Sequence, residues 1–212
     1  MEESAFSEIL KELEKTPLAW NRYRLLAGEG RSQAFGVVNR RSLPTDYSRW
    51  CWKRPYLYKL LLEFAEKHVK IPWNAITVND NYRASKHRDK GNVGESFLVA
   101  FGNFTGGGLR IHEGELTGVH DIRHKPLVLD FSKVYHSVEP FEGKRYSLVF
   151  YTLDTGRRGK VELPPPSVVK HEGMWVFKRG EELIINGLPH PRSKKNPLTF
   201  AKEEADVKIE FT

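Results

Sequence analysis

Ser96-Phe97-Leu98-Val99-Ala100-Phe101-Gly102-Asn103-Phe104-Thr105-Gly106-Gly107-Gly108-Leu109-Arg110-Ile111-His112 is the stretch on which the fold turns. An apolar, β-favouring run ends in a glycine- and asparagine-rich turn, and a second β-type run leaves it. The three consecutive glycines have an ordinary reading as a hairpin turn needing positive φ, with a phosphate cradle as the alternative. The same alternation of short run and turn recurs on both sides. Runs at Ala75–Val78, Pro126–Phe131, Val134–Val138, Tyr146–Thr152, Met174–Phe177 and Leu183–Ile185 are set off by Glu142-Gly143-Lys144, Lys178-Arg179-Gly180 and Asn186-Gly187. Many short strands at near-regular spacing predict a mainly β (α+β) chain built as a sandwich or barrel of the jelly-roll kind.

Working towards the N-terminus, Phe6, Ile9, Leu10 and Leu13 fall at helical spacing within Ser4–Glu14. A second helix is expected from Pro55, with Leu57, Leu60, Leu61, Phe64 and Ala65 on one side and Pro72 as its stop. Arg31–Lys53 shows no lasting period and reads as loop with one short strand at Phe35–Val38. Towards the C-terminus, Thr155–Pro166 ends in three prolines and reads as a stiff connector, while Val207, Ile209 and Phe211 alternate as in an edge strand. The organisation expected is one domain over 1–212: helical and loop support in 1–73, the core in 74–154, and an extension with additional strands in 155–212.

Composition bounds the function. With 39% hydrophobic and 12% aromatic residues among 212, the chain can bury a sizeable core, which excludes disorder as its main state. Even the most apolar region, Tyr56–Ala65, is broken by Lys59 and Glu63 and falls short of the roughly 20 residues a bilayer requires. The acidic opening Met1-Glu2-Glu3 is unlike a signal or transit peptide, so an intracellular protein of the cytoplasm or nucleus is expected, without a membrane. Cys51 stands alone, which rules out an internal disulfide and a multi-cysteine zinc site. Lys and Arg number 34 against 27 Asp and Glu, a net charge of +7 that favours polyanions such as nucleic acid. Nothing calls for an obligate protein partner, and a monomer is expected.

Most of the eight histidines read as packing or solvated residues: His68 on a helix, His171 and His190 in loops, His112, His120 and His124 in a hairpin region. His87 and His136 differ in their company. In an extended segment, His87 and Asp89 leave the backbone on the same side. His136 follows 47 residues after Asp89, inside a strand-like run. Two imidazoles and one carboxylate on one face form a facial triad that leaves positions open on Fe(II) for a co-substrate and oxygen. Nine residues past His136, Arg145 and Ser147 share one face of the next strand. A guanidinium fork beside a hydroxyl suits a carboxylate, and an inward arginine in an apolar run is costly without an anion. A dicarboxylate co-substrate would supply one.

The set His87-x-Asp89, His136 and Arg145-x-Ser147 resembles the signature of the Fe(II)- and 2-oxoglutarate-dependent dioxygenases, whose fold is a double-stranded β-helix jelly roll. Over about residues 35–152, Asn74–Asn79, His87–Ser96, the turn Gly102–Gly107 and the closure Pro140–Ser147 are similar to the TET/J-binding-protein branch. The resemblance implies Fe(II) on His87, Asp89 and His136, 2-oxoglutarate held by Arg145, Ser147 and Asn79, and O2 as the third reactant. It further implies hydroxylation of the 5-methyl group of a pyrimidine, 5-methylcytosine first, in DNA or RNA. A buried metal reaches such a methyl group only if the nucleotide is flipped out or single-stranded.

Around this core the residues leave choices open. Asn92 can cap a turn near the metal or bond a base edge, and Arg88, between two of the ligands, is the other candidate substrate residue. Tyr82, Phe101 and Tyr135 are core, or one of them stacks on a flipped base. Arg22, Arg24, Arg40, Arg41, Arg49, Lys53 and Arg54, interleaved with Trp20, Tyr23, Trp50 and Trp52, suit phosphate contacts with stacking, or cations over a core edge. Arg192-Ser193-Lys194-Lys195 is too short to read as a nuclear signal. Rival functions are the same oxidation on an N-alkylated base or on a protein side chain, as in prolyl hydroxylation, and a non-catalytic nucleic-acid-binding jelly roll.

Overall fold

The structure is a computed structural model that describes residues 1–19, 28–40, 43–155 and 163–185. A single 3-10 turn, Glu3–Phe6, leads into α1 (Ser7–Lys15); α2 (Trp50–Lys53) and α3 (Pro55–His68) follow the first two strands. Pro55 starts α3 because its fixed φ and missing N–H suit a helix's first turn. One stripe of α3, including Leu57, Leu61 and Phe64, is buried.

The strands are β1 (Gly28–Arg40), β2 (Leu43–Tyr47), β3 (Ala75–Ala84), β4 (Asn92–Phe101), β5 (Phe104–Gly106), β6 (Leu109–Ile111) and β7 (Gly118–His120). They continue as β8 (Leu127–Leu129), β9 (His136–Val138), β10 (Phe141–Gly143), β11 (Tyr146–Leu153), β12 (Pro166–His171), β13 (Met174–Arg179) and β14 (Glu182–Ile184). Antiparallel pairing gives a six-stranded sheet in the order β2-β1-β3-β11-β4-β8. Three smaller sheets accompany it: β7-β6-β9, β10-β5 and β12-β13-β14. This is a jelly-roll core with helices packed on its large sheet.

Alternation along the central strands sorts side chains to two sides. Ile76, Val78, Val99, Tyr146, Leu148 and Phe150 join Phe6, Leu13, Leu61 and Phe64 of the helices in the main core. Phe6 stacks on Phe101 at 4.8 Å and Phe64 on Phe150 at 5.8 Å between ring centroids. The other face, carrying Leu98, Ala100 and Val149, meets Phe104, Leu109, Ile111 and Phe131 in a smaller cluster between the sheets. Asn79 and Ser147 belong to this second face by the same alternation, opposite each other in the β3–β11 register.

Three expectations change. The loop expected at Arg31–Lys53 holds most of β1, which starts at Gly28 and not at Phe35, together with β2 and α2. Positive-φ Gly28, Gly30 and Gly36 interrupt the period of β1, and Ser32 and Gln33 are buried by their neighbours although polar. The expected turn Glu142-Gly143-Lys144 instead contributes to β10, with Gly143 opposite Phe104 of β5. Finally, Trp52 and Arg54 are buried: Arg54 donates to the Thr16 carbonyl at 2.7 Å and lies 3.7 Å from Glu12, which ties α1 to the α2–α3 junction. Arg49, over the Trp50 ring at 4.9 Å, and Lys53 face outward.

The strands after the proline connector pack on the helices. Phe177 of β13 lies among Tyr47, Trp52 and Tyr58, and Arg179 reaches Asp46 of β2 at 3.5 Å. Among the described residues no helix is long and apolar enough to cross a membrane. Trp20, Arg22, Tyr23, Arg24, Arg41, Arg157, Arg158, Asn186-Gly187, His190, Arg192–Lys195 and the alternating Val207, Ile209 and Phe211 lie outside the described residues.

Candidate active site

Backbone pairing brings two separate segments together at one end of the smaller cluster. His87 and His136 exchange N–H···O bonds of 2.9 Å in each direction, an isolated bridge between the segment after β3 and the start of β9. Asp89 is fixed by its N–H on the Phe131 carbonyl at 3.0 Å. One ligand atom from each of His87, Asp89 and His136 can be chosen so that all three lie within 4.8 Å of one another.

The imidazoles are also oriented. His87 Nδ1 is 2.7 Å from the Ser85 carbonyl and His136 Nδ1 is 3.2 Å from that of Val134. A carbonyl only accepts, so each Nδ1 donates, which leaves Nε2 as the nitrogen turned towards a metal. Burial, followed by the neighbouring His87, pushes the His136 pKa below its ordinary value and favours the neutral, ligating form. The His87 Nε2 lies 3.4 Å from Asp89 Oδ1.

At the other end of the cluster stands Arg145, with 1% of its surface exposed. Its Nε donates to the Gly107 carbonyl at 3.1 Å, and its guanidinium lies over Phe104 and Phe141 at 5.5 and 5.6 Å. No carboxylate of the described residues forms an ion pair with it. Burial alone lowers its pKa to about 10. Ser147 and Asn79 sit beside it on the strand face, Asn79 Nδ2 donating to Ser147 Oγ at 3.1 Å, while the buried Asn79 Oδ1 has no partner among the described residues. The Phe104 and Phe141 rings at Arg145 and the Phe131 ring, 4.8 Å from His136, belong to one apolar cluster, which borders both Arg145 and the metal donors.

Other candidates separate. The Asn92 N–H caps the Asp89 carbonyl at 2.9 Å and its amide lies 3.4 Å from Asp89 Oδ2, the turn-capping arrangement. Arg88 Nε and Nη2 donate to Glu113, and its guanidinium covers the Tyr135 ring at 4.2 Å. Tyr82 and Phe101 are buried, whereas Tyr135 is half-exposed beside His136. Outside the motif, Asn81 holds positive φ, its Oδ1 accepts the Arg145 N–H at 2.8 Å, and its own N–H donates to the Arg145 carbonyl. Asn81 and Glu113 escaped the sequence reading; an asparagine following Asn79-Asp80, able to hold positive φ, was the one signal for the former.

No family model matches the chain, and no curated protein matches it. Among solved structures, NgTET1 in complex with 5mC DNA superposes with a TM-score of 0.51 at 13% identity, over 74% of this chain and 69% of that one. This chain has the fold of the Fe(II)- and 2-oxoglutarate-dependent oxygenases. A 2OG-Fe(II) oxygenase-family oxidoreductase from Burkholderia pseudomallei is similar at a TM-score of 0.43 and 13% identity, over 69% of this chain and 76% of that one. A Pseudomonas putida prolyl-4-hydroxylase gives 0.44 and 14%, over 71% and 87%. The donor chemistry itself fits such groups: two oriented imidazoles and a carboxylate suit Fe(II), and the buried Arg145, without a carboxylate partner among the described residues, suits with Ser147 a dicarboxylate such as 2-oxoglutarate.

Proposed function

We propose that the protein is a dioxygenase that hydroxylates the 5-methyl group of a pyrimidine, 5-methylcytosine, in nucleic acid. The observation that carries the reaction class is the buried Arg145 guanidinium, without a carboxylate partner among the described residues, on the same apolar cluster that the His136 donor borders, with His87 and Asp89 beside it. Fe(II) on those three side chains, with 2-oxoglutarate and O2, supplies the oxidising power for C–H hydroxylation. The protein's part is to bind and orient. Arg145 takes one carboxylate of the co-substrate in its fork, and Ser147 and Asn79 offer a hydroxyl and an amide beside it. Phe104, Phe131 and Phe141 keep water from the space between.

Support for a nucleic-acid substrate comes from outside the metal donors. The net charge of +7 favours a polyanion, and Arg83, Lys86 and Lys90, flanking the donors in sequence, are exposed. The fold likeness to NgTET1, solved with 5mC DNA, points the same way, as does the resemblance of the segments around His87 and Gly102. The donors and Arg145 come from one chain, which suits a monomer. The substrate suits an intracellular setting, cytoplasm or nucleus.

Incubating the protein with Fe(II), 2-oxoglutarate and oligonucleotides carrying 5-methylcytosine, followed by nucleoside mass spectrometry, tests this. The expected products are 5-hydroxymethylcytosine and an equal amount of succinate. Turnover of an N-alkylated base or a prolyl peptide alone would keep the reaction and replace the substrate. Nucleic-acid binding with no succinate on any of these would mean a non-catalytic binding module.

A further inference from the structure

The three donors arrive on two segments, residues 87–89 and residue 136, and the backbone bridge between His87 and His136 fixes only one point of their approach. A side chain supplies another. Glu113 lies in the bend after β6, on neither segment. Its Oε1 accepts from Arg88 Nε at 3.0 Å, from Arg88 Nη2 at 2.7 Å and from the Tyr135 backbone N–H at 2.6 Å. Arg88 stands between His87 and Asp89, and Tyr135 immediately precedes His136. One carboxylate oxygen therefore clasps both donor-bearing segments within one residue of the donors themselves. The Arg88 guanidinium, 4.2 Å over the Tyr135 ring, closes the same ring of contacts from the side.

We propose that Glu113 is a positioning residue of the metal centre, acting through Arg88 and the Tyr135 backbone to set the spacing of the His87, Asp89 and His136 donors. The inference rests on the reading of those three as the metal site. The alternative is an ordinary surface ion pair, since the Arg88 and Glu113 side chains are 33% and 38% exposed, and such pairs add little stability. The two differ in what they move. A surface pair changes thermal stability slightly and leaves metal affinity alone; a clasp changes metal affinity and ligand field with the apo fold intact. Partners that orient metal ligands are typically worth 10- to 100-fold in affinity.

Co(II) added to the full apo chain is the probe, read by calorimetry and by its visible d–d absorption. Glu113→Ala is expected to weaken Co(II) binding about 10- to 100-fold and to shift the absorption bands, with the apo melting midpoint unchanged. Glu113→Gln keeps an acceptor for Tyr135 and should recover part of the affinity. Arg88→Lys loses the two-nitrogen fork and should fall between wild type and Glu113→Ala, which keeps the test open if the alanine variant does not fold. Wild-type affinity and spectrum in Glu113→Gln and Arg88→Lys, or in Glu113→Ala, would overturn the clasp alone. A wild-type chain that binds no Co(II), or a His136→Ala variant that binds it equally well, would overturn the metal site and the clasp with it.

Discussion

A guanidinium beside two phenylalanine rings, with a backbone carbonyl as its single hydrogen-bond acceptor among the described residues, lacks the anion that such burial calls for. With its pKa at about 10, Arg145 is still charged at neutral pH, so a carboxylate entering the space meets a full positive charge in a dry setting. Arg145→Lys keeps the charge and loses the planar fork. The apparent KM for 2-oxoglutarate is expected to rise about tenfold or more, at least about 1.4 kcal/mol, as steady-state succinate release would show. The types and spacing of His87, Asp89, His136, Arg145 and Ser147 were legible because few other chemistries use that set. Asn81 and Glu113 were not. Their work depends on which distant N–H they meet, Arg145 in one case and Arg88 with Tyr135 in the other, and no local pattern encodes such a meeting.

Among the elements, the turn between β5 and β6 sets the surroundings of Arg145 alongside the strands. Gly107 has φ +66, and a Cβ there would lie 2.9 Å from Arg145 Cδ and Nε. Gly107→Ala thus joins a backbone strain of about 1–2 kcal/mol to a displaced guanidinium. The expected result is a raised KM for 2-oxoglutarate with Co(II) affinity unchanged, because the metal donors lie on other segments. Equal loss of both would mean that the turn supports the whole cleft. The triple glycine was legible as a turn, but not its closeness to Arg145. The helices at Ser7–Lys15 and Pro55–His68 were legible from their apolar spacing, and β4 and β11 from long apolar runs. β5, β7 and β10 have three residues each, too few for a period to register; β5 and β10 exist through each other, far apart along the chain, and β7 through its neighbour β6.

For the molecule as a whole, charge and shape bear on different steps. If exposed cations near the cleft grip phosphates, binding of a methylated oligonucleotide should weaken about 10- to 100-fold between 50 and 200 mM salt, read by fluorescence anisotropy. Turnover of a free nucleoside should hardly respond. Salt-independent binding would assign the basic excess to solubility alone. The Arg145 pocket has a further consequence for how long the protein survives. A folded state that holds an unmatched cation is stabilised by whatever anion fills the place, while the unfolded chain has no such site. At a hundredfold excess over its dissociation constant, 2-oxoglutarate should add about 2.7 kcal/mol, a melting shift of roughly 5–10 °C in the wild type that is much smaller in Arg145→Lys. Resistance to proteolysis would then rise and fall with the supply of a central carbon metabolite, making the abundance of this protein a readout of nutritional state before any substrate is bound.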